Sequence, residues 1–207
     1  MKNNKSEGVL AIVCGSSRNG KTEYVKRQLE SFSRVIVWDI DEEYNGFVRV
    51  RTIAELINIV KKAGLKDIKI AFSPRSLLSF DAFCKIVLKW SDDLLENDKA
   101  GIAVVVEETA DVTSPSKAPA NFRVLIGRGM KRGISLFCVT QRPSESDKTS
   151  LGNAKVLVTF YMSRAADREY MSKEIGCNSD DIEALEKLQY LKKDVDSRKI
   201  VRGLIEF

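Results

Sequence analysis

The chain has 207 residues, of which 43% are hydrophobic and 30% are charged. These proportions exclude disordered and fibrous proteins, and the length allows one sizeable core but not two enzymatic domains, so we predict a single domain over residues 1–207. The formal net charge of +5 is compatible with a polyanionic partner but does not demonstrate one.

Cysteine and histidine usage narrows the possible chemistry. The four cysteines are far apart in sequence and form no C-x-x-C pair, which favours reduced core residues of an intracellular protein. Histidine is absent, which excludes imidazole-dependent nucleophiles and His-ligated zinc. No apolar run is long enough to span a bilayer, and the N-terminus MKNNKSEG has no apolar signal core.

The first informative stretch is VLAIVCGSSRNGKTE, residues 9–23. An apolar run typical of a buried strand leads into the pattern G-x-x-x-x-G-K-[ST], and a helix-compatible run follows. The glycines let backbone N–H groups surround a phosphate, Lys21 neutralises its oxygens, and Thr22 offers a hydroxyl to Mg²⁺. The alternative is a glycine turn without a ligand. The predicted nucleotide-binding residues are Gly15, Ser16, Ser17, Arg18, Asn19, Gly20, Lys21, Thr22 and Glu23.

A second predicted strand, Arg34 to Trp38, ends in an acidic turn, Asp39 to Glu43. The carboxyl ends of parallel strands carry the ligand crevice, so this turn either lies near the phosphate loop or is merely solvated. The sequence then predicts an amphipathic helix over TIAELINIVKKAG, a strand over DIKIAF, and a helix from Phe80 to about Leu95.

The second informative stretch is GIAVVVEET, in which five apolar residues predict a strand buried on both faces. It ends in Glu107 and Glu108, and burying two acids is costly unless they serve a cation or a water. In P-loop ATPases the first such acid holds the Mg²⁺ shell and the second polarises the attacking water. The alternative is that both glutamates start an exposed loop.

The segment after these acids, DVTSPSKAPA, predicts a mobile loop because Pro115 and Pro119 cannot donate backbone hydrogen bonds. Lys117 in its middle could meet a phosphate backbone, or the loop is an ordinary flexible surface loop.

The third informative stretch is NFRVLIGRGMKRGISLFCVTQRPSE. A helix is predicted to end in the cationic run GRGMKRG, and the strand Ile134 to Val139 follows. Gln141 at the strand tip can sense the γ-phosphate or the lytic water. Arg128 and Arg132 are placed to reach a nucleotide on an adjacent subunit, or they are solvent-exposed charges at a helix end.

The remaining sequence predicts a strand over KVLVTFYM, a helix ending at Gly176, and a short helix over SDDIEALEKLQ. The tail YLKKDVDSRKIVRGLIEF predicts two short strands around an Asp-Ser-Arg turn.

Four motifs together, GSSRNGKT, WDIDEEY, VVVEET and RGMKRG leading to VTQRP, resemble the FtsK/HerA superfamily of DNA-pumping ATPases. The resemblance covers residues from Val9 to about Thr159, and the compact size is most similar to genome-packaging ATPases of tailless icosahedral viruses with an internal membrane. It implies a RecA-like (ASCE) α/β P-loop NTPase with a mostly parallel central sheet flanked by helices and a short C-terminal hairpin.

The resemblance also implies roles and partners. Lys21 and Thr22 would contact the phosphates of ATP and Mg²⁺, Glu108 would be the catalytic base, Gln141 the γ-phosphate sensor, and the run Arg128 to Arg132 would hold an arginine finger. Double-stranded DNA, a homo-oligomeric ring and a portal or membrane-associated capsid vertex protein are the implied partners. The implied location is the host cytoplasm, and the resemblance also allows the protein to be incorporated in the virion at a packaging vertex.

One position departs from the superfamily. Glu107 stands where an aspartate usually precedes the catalytic glutamate. The extra methylene of its side chain must be accommodated by a shift of a bridging water or of the strand end, so the expected ATPase activity is lower. Three other functions stay open from the sequence: a cellular HerA-like repair or conjugation ATPase, a small-molecule P-loop kinase, and a non-catalytic DNA- or scaffold-binding module.

Overall fold

A computed structural model of the chain describes residues 7–97, 99 and 101–206, and residues 1–6, where the sequence shows no signal core, lie outside this part. The described residues form a nine-stranded sheet in the order β3-β4-β2-β5-β6-β1-β7-β8-β9. The strands are β1 (Leu10–Cys14), β2 (Arg34–Trp38), β3 (Val48–Val50), β4 (Ile68–Phe72), β5 (Ile102–Val106), β6 (Ile134–Thr140), β7 (Val156–Thr159), β8 (Gln189–Asp194) and β9 (Ile200–Leu204).

Strands β1 to β7 all pair in parallel, whereas β8 pairs antiparallel with β7 and β9 antiparallel with β8. Parallel neighbours need long crossovers, and helices supply most of them. The predicted mostly parallel sheet with flanking helices is therefore confirmed. The predicted C-terminal hairpin is also confirmed, since β8 and β9 form it.

The helices are distributed unevenly over the two faces of the sheet. They are α1 (Lys21–Leu29), α2 (Ile53–Ala63), α3 (Phe80–Glu96), α4 (Thr109–Val112), α5 (Ala120–Arg128), α6 (Lys148–Asn153), α7 (Ala165–Ile175) and α8 (Ser179–Glu183). Buried residues of α2, α3 and α5 to α8 share one core with the first face, and among these described helices α1 alone packs into the core on the second face. None of the described helices is long and apolar enough to cross a bilayer.

The central strands form where the sequence is most apolar. Every residue of β1, β2 and β5 is buried, which agrees with helices or loops covering both faces of these strands. Helix α2 begins at a capping box, in which Thr52 Oγ1 accepts a hydrogen bond from Glu55 N and the Glu55 carboxylate accepts one from Thr52 N. Gly64 follows its last residue.

Several short elements differ from the sequence prediction. Strand β3, helix α4 and helix α6 were not predicted, helix α8 is shorter than the predicted SDDIEALEKLQ, and the stretch DVTSPSKAPA contains less loop than expected. The first two residues of this stretch belong to helix α4, and its last residue, Ala120, begins helix α5. Between the two helices, Ser114 N donates a hydrogen bond to Lys117 O at 2.9 Å. Local hydrogen bonds, including one from Thr113 Oγ1 to Thr109 O at 2.8 Å, give this segment its structure.

The parallel register brings three strand tips together. Strands β5, β6 and β1 are consecutive in the sheet, with Val106 opposite Cys138 and Cys14 opposite Thr140. The segments that follow these strands therefore leave the sheet at one edge, which we call the carboxyl edge. The opposite edge, where the parallel strands begin, is called the amino edge.

Candidate functional site

The predicted phosphate-binding loop joins β1 to α1 at the carboxyl edge. Gly15 N donates to Thr140 O at 3.3 Å, and Ser16 N donates to Tyr161 O at 2.8 Å. These bonds attach the start of the loop to β6 and to the segment after β7. Because α1 begins directly after the loop and no side chain caps it, the first N–H groups of the helix have no partner within the helix, an arrangement that binds phosphate.

Gly20 shapes the end of the loop. Its φ of 114° lies in the left-handed region, where residues with a Cβ are strained. A Cβ at this position would lie 3.0 to 3.1 Å from side-chain atoms of Phe160, Leu188 and Ile205. These three residues, which we call the apolar wall, stand directly behind the loop. Both the backbone conformation and the wall therefore require glycine here.

Lys21 is buried within the loop, with 7% of its surface exposed, and its Nζ donates to Ser16 O at 3.1 Å. Burial lowers the pKa of Lys21, while the nearby carboxylates of Glu108 and Glu107 act in the opposite direction. The ammonium group is thus held by a backbone carbonyl and by negative charge. A phosphate entering the loop can replace the carbonyl as its partner.

Glu107 follows the last residue of β5 and is 6% exposed. Its Oε1 accepts a hydrogen bond from Tyr44 Oη at 2.5 Å. Burial raises the pKa of Glu107 to about 8, and the Tyr44 hydrogen bond opposes that rise. Near neutral pH the side chain therefore holds a proton, which a bound cation would displace.

Glu107→Gln is expected to remove a pH-dependent loss of stability. The folded-state pKa of about 8 lies well above the pKa of a glutamate in an unfolded chain, so the folded state binds the proton more tightly and the parent loses stability as pH rises through that interval. The loss is at most about 1.4 kcal/mol per pH unit. In urea unfolding without nucleotide or metal, the free energy of unfolding of the variant relative to the parent should increase between pH 5 and pH 8. A constant difference over that range would contradict the assignment.

Glu108 and Gln141 contact each other directly. Gln141 Nε2 donates to Glu108 Oε1 at 2.7 Å, and Gln141 N lies 3.4 Å from Glu108 Oε2. Glu108 has a φ of 46° in the left-handed region, an unusual conformation for a residue with a side chain. The tips of β5 and β6 therefore place the proposed base and the proposed sensor within one hydrogen bond of each other.

These elements enclose a cavity of about 620 Å³. It brings together most of the predicted nucleotide-binding residues, the two acids and the amide. Its lining includes Ser17, Arg18, Gly20, Lys21, Thr22, Glu23, Glu107, Glu108 and Gln141. Of the other predicted residues, Ser16 lines a neighbouring cavity and Asn19 O accepts a hydrogen bond from Leu188 N at 3.2 Å.

The donor set fits a metal ion that is bound together with phosphate. Within the described ranges of the chain, no three acidic or thiol side chains come together as a complete metal site. Thr22 and Glu107 line the same cavity and could supply two oxygens, leaving the other positions to phosphate and water. This division of ligands is the one that Mg²⁺ favours in nucleotide sites.

The acidic turn after β2 also reaches this site. Thr22 Oγ1 donates to Glu43 Oε2 at 2.7 Å, and Glu43 lines the cavity. Of the two interpretations of this turn, proximity to the phosphate loop is the one that the structure supports. Glu43 and Tyr44 were not predicted as site residues, although the acidic turn itself was the signal that could have identified Glu43.

Arg128 and Arg132 lie at the amino edge, away from the chain's own nucleotide cavity. They precede the seven-residue strand β6, whereas Gln141 follows it, and seven strand residues span about 20 Å. Arg132 Nε lies 3.5 Å from Asp92 Oδ1 at the end of α3, and Arg128 is exposed. The structure therefore does not bring either arginine to the site within one chain.

Two other arginines lie beside the site. Arg142 and Arg164 line a second cavity of about 600 Å³. It shares four residues with the first cavity: Ser17, Asp41, Glu108 and Gln141. Glu145 carboxylate oxygens lie 3.1 Å from Arg142 Nη1 and 2.6 Å from Arg164 Nη1. Arg142 follows Gln141 in the T-Q-R-P motif, which was a signal for it, whereas nothing local in the sequence marks Arg164.

Comparison with known proteins assigns the chain to a family. No family model matches it. Protein P9 from Pseudoalteromonas phage PM2 is 30% identical over 190 residues, which cover 88% of the chain and 84% of P9. The chain belongs to the P9 family.

Solved structures share the fold of this P9-family chain. The genome packaging NTPase B204 from Sulfolobus turreted icosahedral virus 2, in complex with ATP-gammaS, has a TM-score of 0.74 at 16% identity, over 95% of this chain and 96% of B204. VirB4 of Thermoanaerobacter pseudethanolicus has a TM-score of 0.68 at 14% identity, over 95% of this chain and 89% of VirB4. The predicted RecA-like P-loop fold is confirmed, since B204 and VirB4 share it with this chain.

Proposed function

We propose that this P9-family chain is an ATPase that moves double-stranded DNA and packages a viral genome into a preformed capsid. The observation that carries the proposal is the convergence of Lys21, Glu108 and Gln141 on one cavity at the carboxyl edge. A lysine in a phosphate loop, an acid and an amide are the groups that phosphoryl transfer to water requires. The shared fold with the genome packaging NTPase B204 supports the choice of DNA as the partner.

Each residue of the site has a separate role in the proposed hydrolysis of ATP. Lys21 binds the oxygens of the β- and γ-phosphates, and Thr22 and Glu107 would hold Mg²⁺, which neutralises charge on the phosphates when it is bound. Glu108 accepts the proton of the attacking water, and the amide of Gln141 bonds the γ-phosphate or that water. Both groups keep further hydrogen-bonding capacity for these partners, since the carboxylate has additional lone pairs and the amide a second N–H.

Oligomerisation is part of the same proposal. The chain acts as a single ATPase domain, and copies form a ring in which Arg128 or Arg132 of one subunit reaches the nucleotide of the next. The position of both arginines at the amino edge supports contact between the amino edge of one copy and the carboxyl edge of its neighbour. Such a head-to-tail contact generates a closed ring when the rotation between copies closes.

The proposed location and further partner follow from packaging. The protein works in the host cytoplasm and enters the virion at a packaging vertex, where a portal or membrane-associated capsid vertex protein receives it. Copurification of the chain with capsid vertices tests this part of the proposal. Its absence from assembled vertices during packaging would contradict it.

An ATPase assay with and without double-stranded DNA tests the proposed function. The parent protein is expected to hydrolyse ATP, and double-stranded DNA is expected to increase the rate several-fold, whereas Lys21→Ala should show no turnover in either condition because the phosphate loop has lost its cation. Hydrolysis that DNA leaves unchanged, but that a small-molecule phosphate acceptor increases, would indicate a kinase. ATP binding without turnover in every condition would indicate a non-catalytic module.

A further inference from the structure

The acidic turn after β2, residues 39–44, is held in one conformation by a buried carboxylate. Asp39 is fully buried and accepts hydrogen bonds from Glu43 N at 2.9 Å and Tyr44 N at 3.2 Å. Arg49 Nη1, from β3, lies 2.7 Å from Asp39 Oδ2 and balances its charge. Buried groups therefore hold both ends of the turn, while residues 41–43 between them are exposed.

Two consecutive residues of this turn bond the two side chains that are placed to hold a metal ion. Thr22 Oγ1 donates to Glu43 Oε2 at 2.7 Å. Tyr44 Oη donates to Glu107 Oε1 at 2.5 Å, and Tyr44 is 1% exposed. The turn thus connects the helix N-terminus that carries Thr22 to the strand tip that carries Glu107.

The direction of the Thr22 hydrogen bond matters chemically. A threonine hydroxyl has one proton and two lone pairs, and a cation binds a lone pair. Because the proton is donated to Glu43, both lone pairs of the Thr22 oxygen stay available to the cavity. The Glu43 carboxylate also adds negative charge beside that oxygen, and such partners raise the basicity of metal ligands.

We propose that Glu43 is a positioning residue for the metal–nucleotide complex, acting through Thr22. This inference rests on the proposed function, since it concerns the same cavity. The neighbouring residue of the turn, Tyr44, supports Glu107 in the same way through its hydrogen bond. The turn contributes a carboxylate that lies outside the P-loop motif and the pair of acids.

Glu43→Gln tests the proposal, with Glu42→Gln as the matched control. Both changes remove one charge from the same turn, but Glu42 Oε1 lies 2.7 Å from Arg51 Nη2 and Glu42 is absent from the cavity lining. The readout is Mn²⁺ affinity in the presence of ADP, measured by electron paramagnetic resonance. Glu43→Gln is expected to lose about tenfold in Mn²⁺ affinity, as removal of such outer partners does, while Glu42→Gln keeps the parent value.

Two further measurements separate this role from a structural one. Binding of ADP in EDTA and the thermal midpoint without metal should match the parent in both variants, because Glu43 is exposed and its effect through Thr22 requires the cation. Mn²⁺ affinity in Glu43→Gln that equals or exceeds the parent value would overturn this inference and leave the proposed function intact. A parent that binds no Mn²⁺ with ADP would overturn both.

Discussion

Glu108→Gln is expected to bind ATP with the parent's affinity and to hydrolyse it about 100-fold to 10,000-fold more slowly. The amide keeps the shape of the carboxylate, and its oxygen can still accept the 2.7 Å hydrogen bond from Gln141 Nε2. It cannot accept a proton from the attacking water. Single-turnover hydrolysis measures the chemical step, and calorimetry with ATP-gammaS measures binding.

Glu42→Gln is a suitable control for this experiment as well. It makes the same chemical change at the same edge of the sheet, in a residue paired with Arg51 outside the nucleotide cavity, and should hydrolyse ATP at the parent's rate. Glu108→Gln hydrolysing ATP as fast as this control would remove Glu108 from the role of base.

Replacing the finger arginine is expected to lower turnover about 1,000-fold or more, and mixing subunits should restore part of it. Arg128→Ala and Arg132→Ala are each mixed with Lys21→Ala chains, which cannot hydrolyse ATP but still carry both arginines. Neither arginine can reach its own cavity, because a seven-residue strand separates them from Gln141. Recovered turnover would therefore come from sites that contain residues of two chains.

Arg123→Ala is the control for the mixing experiment. Arg123 is exposed on the same helix α5 and lies further from the start of β6, so its loss should leave turnover unchanged. Melting curves are needed for Arg132→Ala, because that change also removes the contact with Asp92. Loss of activity without recovery in either mixture would contradict an active site shared between subunits.

Much of the site could be predicted because parallel strands of the sheet end at a common edge. The apolar runs at β2 and β5 coincide with the observed strands, and the glycine-lysine loop, the two acids and Gln141 each follow such a strand. Once the sheet is parallel, adjacent strand tips must meet. Here β5, β6 and β1 are neighbours, so these groups share one cavity.

The unpredicted elements are short or have weak local signals. Strand β3 has three residues with an arginine in the middle, which is too few to show an alternating pattern. Helix α6 has the sequence KTSLGN, in which Thr, Ser, Gly and Asn favour turns over helix. It forms because Asp147 accepts a hydrogen bond from Thr149 N at 2.8 Å and Leu151 is buried against the core.

The site contacts that the sequence did not predict join segments that are distant in the chain. The bond between Tyr44 and Glu107 joins residues 63 positions apart, and Glu145 meets Arg164 across 19 positions. No local pattern contains either pair, since only the assembled sheet brings their strands and loops together. The direct hydrogen bond between Glu108 and Gln141 is likewise not predictable, because the sequence indicates neighbouring strand tips but not which side chains touch.

The apolar wall behind Gly20 has a consequence for biosynthesis. Phe160, Leu188 and Ile205 are translated well after the loop that they support, and Leu188 also bonds the loop backbone at Asn19. A nascent polypeptide that has not yet emerged from the ribosome as far as Ile205 lacks part of that wall. Full nucleotide affinity should therefore develop only after β9 has joined the sheet and Ile205 has packed against the loop.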